Sequence, residues 1–171
     1  MRIIAGEHRG RRLLAPESDT TRPITDRAKQ SLFDVISPRI DEAVVYDCFA
    51  GTGSMGLECL SRGAAQATFF ERDRSALLRL KQNIDTLGVA GRARGGATDP
   101  FRAFDSMPVP PKPAALIFFP PPYLARHLAP DGLILFRHDS ADTLALPSLS
   151  VVRTLTYGSM SIQLLQPPAG P

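Results

Sequence analysis

The sequence predicts an α/β protein with a mostly parallel sheet and helices on both faces. Three observations carry that prediction. Residues 44–48 (VVYDC) are an apolar run that meets a glycine-rich turn, and residues 55–62 beyond it have helical composition. A second apolar run, residues 67–70 (ATFF), ends on Glu71 and leads into an amphipathic stretch at 75–86. A third, residues 114–119 (AALIFF), runs into three prolines. Apolar strands alternating with helices imply parallel pairing through right-handed crossovers.

The other elements follow in chain order. Residues 2–4 and 11–14 are short strand candidates around Gly6 and Gly10, which predicts a hairpin. Thr25 or Asp26 caps a helix that runs to about Ile36, with Ala28, Leu32, Phe33 and Ile36 at helical spacing; Pro38 closes it. Leu77, Leu80 and Ile84 mark the inner face of the helix at 75–86. Residues 88–96 carry a weak pattern, and 101–104 a short helical turn. Residues 132–136 (GLILF) predict a strand, and 155–157 with 160–165 a final pair. The chain reads as one domain over residues 1–171, with an N-terminal extension at 1–39 and a core at 40–166.

Composition narrows the class. Hydrophobic residues make up 43% and charged residues 22%, as in ordinary globular proteins. No apolar run approaches the roughly 20 residues needed to span a bilayer, and the first residues do not form a secretory signal. Cys48 and Cys59 are expected to be buried thiols, which fits a reducing cytoplasm. No metal-ligand spacing is present. The expectation is a cytoplasmic monomer with no membrane and no metal partner. The net charge of +3 is unevenly placed. Residues 1–39 hold eight Lys and Arg against five acids, and the remaining 132 residues balance. Arginine forks suit phosphate, so Arg9, Arg11, Arg12, Arg22 and Arg27 are candidate RNA contacts; a solvated charged face is the plainer reading.

The turn carries the chemistry. Gly51 and Gly53 permit positive φ and remove the Cβ that would block a ligand. Glu71 follows Gly51 by 20 residues, the usual distance for a carboxylate that binds ribose hydroxyls. Residues 51–56 (GTGSMG) also match a dinucleotide pattern. Asp47 tilts the choice: a carboxylate beside the turn repels a pyrophosphate but suits the ammonium of S-adenosyl-L-methionine (SAM). On this reading a branched side chain at Gly53 would fill the ligand's space. The second motif is the strand ending in residues 120–123 (PPPY). Ligands of open α/β sheets sit at the carboxyl ends of strands, so this turn should face the same crevice.

Glycine turn, acidic strand end and strand-Pro-Pro-Tyr together resemble amino-methyltransferases whose fourth motif is Asp/Asn-Pro-Pro-Tyr/Phe. The chain is most similar in pattern to the RsmD family, bacterial enzymes that methylate a guanine N2 in 16S ribosomal RNA. Residues 1–10 (MRIIAGEHRG), 21–35 (TRPITDRAKQSLFDV), 46–64 (YDCFAGTGSMGLECLSRGA), Phe70 and Glu71 with Asn83, and 157–162 (YGSMSI) carry the likeness. The resemblance implies a Rossmann-like SAM-dependent methyltransferase fold and a ribosomal RNA or assembling small subunit as partner. It places Asp47, Phe49, Gly51, Thr52, Gly53, Glu71, Arg72 and Asp99 around the cofactor. It also places Tyr123 under a flipped guanine, and Pro121 where its carbonyl accepts from the target amine.

Two departures bear on catalysis. Pro120 stands where the family has Asp or Asn, and proline offers no side-chain acceptor to the reacting amine. Such a loss is worth about 3–4 kcal/mol, or roughly 10²–10³ in rate. Only residues 124–131 separate the motif from the strand at 132–136, where the family has a longer segment that walls the base pocket. Gly96 also stands near the family's adenine-contacting acid, with Asp99 as a substitute. Four readings follow: an active RNA methyltransferase, an impaired member that keeps RNA and SAM binding, a DNA or other amino-methyltransferase, and an NAD-type oxidoreductase. The absence of a second-half dinucleotide pattern argues against the last.

Overall fold

The structure is a computed structural model, described here for residues 1–16, 24–97, 99, 102–103, 112–118, 127–142 and 149–168. Its elements are α1 (Asp26–Ile36), β1 (Val44–Cys48), α2 (Ser54–Ser61), β2 (Gln66–Glu71), α3 (Arg74–Leu87), β3 (Ala93–Ala97), β4 (Ala114–Phe118), β5 (Leu128–Asp139), β6 (Ser150–Tyr157) and β7 (Met160–Gln166). They form one seven-stranded sheet in the order β3-β2-β1-β4-β5-β7-β6. β1 to β5 pair in parallel, and β7 runs antiparallel to both β5 and β6. The order reverses at β1, which pairs with β2 on one side and β4 on the other. That reversal is where an open α/β sheet holds its ligand.

Local chemistry explains the helices. The Thr25 hydroxyl accepts from the Ala28 amide and caps α1, so the cap is Thr25 rather than Asp26. The Asp73 carboxylate accepts from the Ala76 amide and caps α3, and Gly88 ends that helix in the left-handed conformation. Two buried clusters lie on the two faces of the sheet. The larger contains Leu32, Phe33 and Ile36 of α1, Leu57 and Leu60 of α2 and Leu77 and Leu80 of α3 against Val45, Phe69, Leu116 and Leu135. α1, α2 and α3 therefore cover one face. The other cluster is built from Tyr46, Cys48, Phe70, Ile117 and Ile134, with Ala103 and Leu149 beside it. On this face residues 102 and 103 are helical and Ala103 packs against the cluster, where the sequence predicts a short helical turn.

Three elements differ from expectation. β3 (ARGGA) is a strand at the sheet edge, although its sequence has no apolar period. β5 begins at Leu128, earlier than expected, because a register shift after Ala114 absorbs the Pro-Asp-Gly segment. The N-terminal hairpin exists as one antiparallel bridge, Arg2 with Arg12, supported by Ile3 and Leu13 amides that donate to the Arg11 and Met1 carbonyls. Cys48 and Cys59 are free and buried. No described helix is long and apolar enough to cross a membrane.

Candidate cofactor and RNA site

β1 delivers Asp47 and then turns through Phe49, Gly51 and Gly53, all with positive φ. Phe49 is the outlier, a non-glycine residue at φ +59 with 50% of its surface exposed. Phe49 thus combines a strained backbone with an exposed ring at the carboxyl end of β1. The turn closes on itself: Ala50 donates to the Phe70 carbonyl and Gly53 to the Ala50 carbonyl. Glu71, half-buried at the end of β2, accepts from the Gly51 amide at 2.6 Å through Oε2 and from the Asp73 amide at 2.7 Å through Oε1. Each oxygen keeps a second lone pair for a hydroxyl.

The three glycines do different work. A Cβ at Gly51 would meet nothing within 4 Å, so the turn is open at that point. A Cβ at Gly53 would lie 2.4 Å from Leu80 Cδ1 and 3.0 Å from Leu57 Cδ1. Gly53 therefore seats α2 against the core: a side chain there would run into Leu80 and Leu57, whereas one at Gly51 would enter open space. At Gly56 a Cβ would approach Phe69 Cε1 to 2.4 Å and Asp47 Oδ2 to 3.2 Å, so this glycine sets the helix–strand distance.

Asp47 is 1% exposed and accepts from the Gly56 amide at 2.8 Å. Burial raises its pKa from 3.8 to about 7, opposed by the Gly56 hydrogen bond and reinforced by the charge of Glu71. A cation brought to it would restore the ionised form. Thr52 is buried, and its carbonyl accepts from Asn83 Nδ2 at 2.9 Å; it supports the turn from within. Arg72 is exposed directly after Glu71. Asp99 lies two residues past Ala97, the partner of Glu71, and its carbonyl accepts from the Arg102 and Ala103 amides. Pro120, Pro121, Tyr123 and Arg22 lie outside the described residues. Among the described residues no group of three or more His, Cys, Asp or Glu could hold a metal ion.

Arg9, Arg11, Arg12 and Arg27 are exposed. Arg11 donates to the Thr86 carbonyl and anchors the hairpin on α3. Two other cations of the basic segment are spent on structure. Arg2 pairs with Asp26 at 2.7 Å, and Lys29, 1% exposed, pairs with the fully buried Glu58 at 2.9 Å. Burial lowers the Lys29 pKa, with Glu58 opposing the shift. For Glu58 burial acts upward, but Lys29, the Ile4 amide and Arg62 hold it below its ordinary value. Glu58 accepts from the Ile4 and Ala5 amides as well. Deleting residues 1–12 would strip these partners, so charge-neutral substitution is the cleaner test of RNA binding.

The sequence carries a signal for these buried polar groups. Lys29 falls at i, i+3, i+4 and i+7 with Leu32, Phe33 and Ile36, on the apolar face of α1; Asn83 falls between Leu80 and Leu87 in the same way.

A parallel sheet that reverses order at β1, a glycine turn there and a carboxylate closing it define a Rossmann-like protein of the methyltransferase type. A family model described as Conserved hypothetical protein 95 matches residues 1–166. The chain belongs to this family, which is the RsmD family. It is 32% identical to ribosomal RNA small subunit methyltransferase D of Haemophilus influenzae over 97% of this chain and 93% of that protein. It is 50% identical to the Escherichia coli protein of the same name over 94 residues, 55% of this chain and 47% of that one. The solved structure of Escherichia coli yhhF matches with a TM-score of 0.82 and 34% identity, covering 98% of this chain and 97% of that one. An RNA methyltransferase from Salinibacter ruber, solved with S-adenosyl-L-homocysteine, shares the fold at a TM-score of 0.66 and 18% identity over 88% of this chain and 97% of that one.

Proposed function

We propose that this protein is a SAM-dependent methyltransferase acting on small-subunit ribosomal RNA, with the exocyclic N2 of a guanine as acceptor. The observation that carries the reading is the turn at the sheet's switch point, open at Gly51 and closed by Glu71 at 2.6 Å. The residues fit the cofactor. Gly51 leaves room for it, Glu71 offers acceptors to ribose hydroxyls, and Asp47 has a pKa that an ammonium would pull down. When bound, the cofactor supplies an electrophilic methyl group. The chain's own part is positioning, without a covalent intermediate. Tyr123 stacks the extruded base, and the Pro121 carbonyl accepts an amine hydrogen and draws the lone pair toward the methyl. Arg9, Arg12, Arg22 and Arg27 hold the RNA backbone.

Pro120 favours a second reading, a member that keeps RNA and SAM binding but turns over slowly, because the motif's side-chain acceptor is gone. The test is a calorimetric SAM titration followed by methyl transfer to small-subunit particles, naked ribosomal RNA and DNA. Transfer to RNA supports the first reading, binding without transfer the second, and labelled DNA a different acceptor class. Absence of SAM binding overturns both readings.

A further inference from the structure

Two buried polar side chains each join the basic hairpin to the glycine turn. Lys29 Nζ donates to the Arg2 carbonyl and to the Ser54 hydroxyl, both at 3.2 Å, and pairs with Glu58, which itself holds the Ile4 and Ala5 amides. Asn83 is 2% exposed; its Oδ1 accepts from the Leu14 amide at 2.8 Å while its Nδ2 donates to the Thr52 carbonyl at 2.9 Å. Arg2 and Leu14 belong to the two arms of the hairpin, which are joined at the Arg2–Arg12 bridge. Thr52 and Ser54 flank Gly53. Each arm is thus tied to one side of the same glycine through one side chain. Packing alone does not call for this, since apolar residues of similar size would fill α1 and α3 at lower desolvation cost.

We propose that Lys29 and Asn83 are positioning residues that make the basic hairpin a structural part of the cofactor turn, so that RNA on the hairpin and SAM in the turn strengthen each other's binding. The proposal rests on the assignment of the turn to SAM and of the hairpin to RNA. RNA held by Arg9 and Arg12 restrains both arms. Restraint passes to the Arg2 carbonyl and the Leu14 amide, and from there to Thr52 and Ser54. Part of the ordering that the cofactor requires of the turn is then already present when it binds. By linkage the cofactor strengthens RNA binding by the same factor.

The test measures calorimetric affinity for S-adenosyl-L-homocysteine with and without saturating small-subunit ribosomal RNA. Ser54→Ala removes the turn-side acceptor of Lys29 and leaves the Lys29–Glu58 pair intact. Asn83→Leu removes the second tie at similar volume. In wild type RNA should tighten the cofactor product by about 5-fold or more, and in the double variant by less than about 2-fold. A merely structural role lowers affinity equally with and without RNA and leaves the wild-type coupling factor, which would overturn the proposal. Hydrogen exchange gives a readout that needs no variant. RNA alone should slow exchange at the amides of residues 51–57 in wild type, and unchanged exchange there counts against the linkage. Binding of both ligands without coupling defeats this proposal alone, whereas failure of wild type to bind either ligand defeats the corresponding functional assignment and the linkage with it.

Discussion

Replacing Asp47 by Asn separates the cost of its buried charge from its use. The carboxyl is 1% exposed and its pKa is raised from 3.8 to about 7, chiefly by burial. The sign follows from that direction. Well below pH 4, folded and unfolded chains are both protonated. Between roughly pH 4 and 7 the folded chain holds the extra proton, so its stability falls as pH rises, and the loss is complete above about 7. At ~1.4 kcal/mol per pH unit the ceiling is about 4 kcal/mol; relaxation and water penetration reduce the expected effect to about 1–3 kcal/mol. Asn keeps an acceptor for the Gly56 amide. Ligand-free Asp47→Asn should therefore be the more stable protein near pH 8, with the gain absent near pH 4, as read by urea unfolding at both pH values. The same variant should bind S-adenosyl-L-homocysteine at least about 10-fold more weakly, because the ammonium loses a charged partner. Parallel stability curves for wild type and variant across this range would refute the buried-charge reasoning. Unchanged affinity would reduce Asp47 to a shaper of the turn.

Gly51→Ala should fold, at about 1–2 kcal/mol for its left-handed φ of +56, and lose cofactor binding; Gly53→Ala should instead lose stability through Leu80. Thermal unfolding beside calorimetry distinguishes the two, and the opposite pattern would reverse the assignment. Glu71→Gln removes the charge at the ribose position and should weaken the cofactor about 10–100-fold with little change in RNA affinity; filter binding with each ligand checks it. Converting Arg9, Arg12 and Arg27 together to Gln should lower RNA affinity and reduce its logarithmic salt slope by roughly 2–3, and an unchanged slope would leave these arginines as a solvated face.

The strands nearest the site were legible because parallel strands are buried on both faces and read as continuous apolar runs, as β1 and β4 do. β3 was not, since its pairing with β2 replaces an apolar pattern with Gly95 and Gly96; a Cβ at Gly95 would lie 2.2 Å from the Phe69 carbonyl oxygen. The start of β5 was hidden by Pro130, Asp131 and Gly132, which read as a turn when taken alone. Residue type and spacing singled out Glu71 and the glycines, which the structure brings to one turn through the Gly51–Glu71 hydrogen bond. They did not reveal which glycine faces outward, because that depends on where Leu57 and Leu80 pack. The ties from Lys29 and Asn83 are long-range contacts, and only the polar residues interrupting two apolar helix faces signalled them.

Single-turnover transfer of a labelled methyl group from SAM to small-subunit particles, by wild type, Pro120→Asp and Tyr123→Ala, decides whether this protein methylates ribosomal RNA. Label should enter the ribosomal RNA at a slow wild-type rate. Pro120→Asp should raise that rate by up to roughly 10²-fold by restoring the acceptor at the reacting amine. Tyr123→Ala should abolish it by removing the stacking platform. A wild type that is fast and slowed by Pro120→Asp, or no label in the ribosomal RNA with either protein, would contradict this assignment.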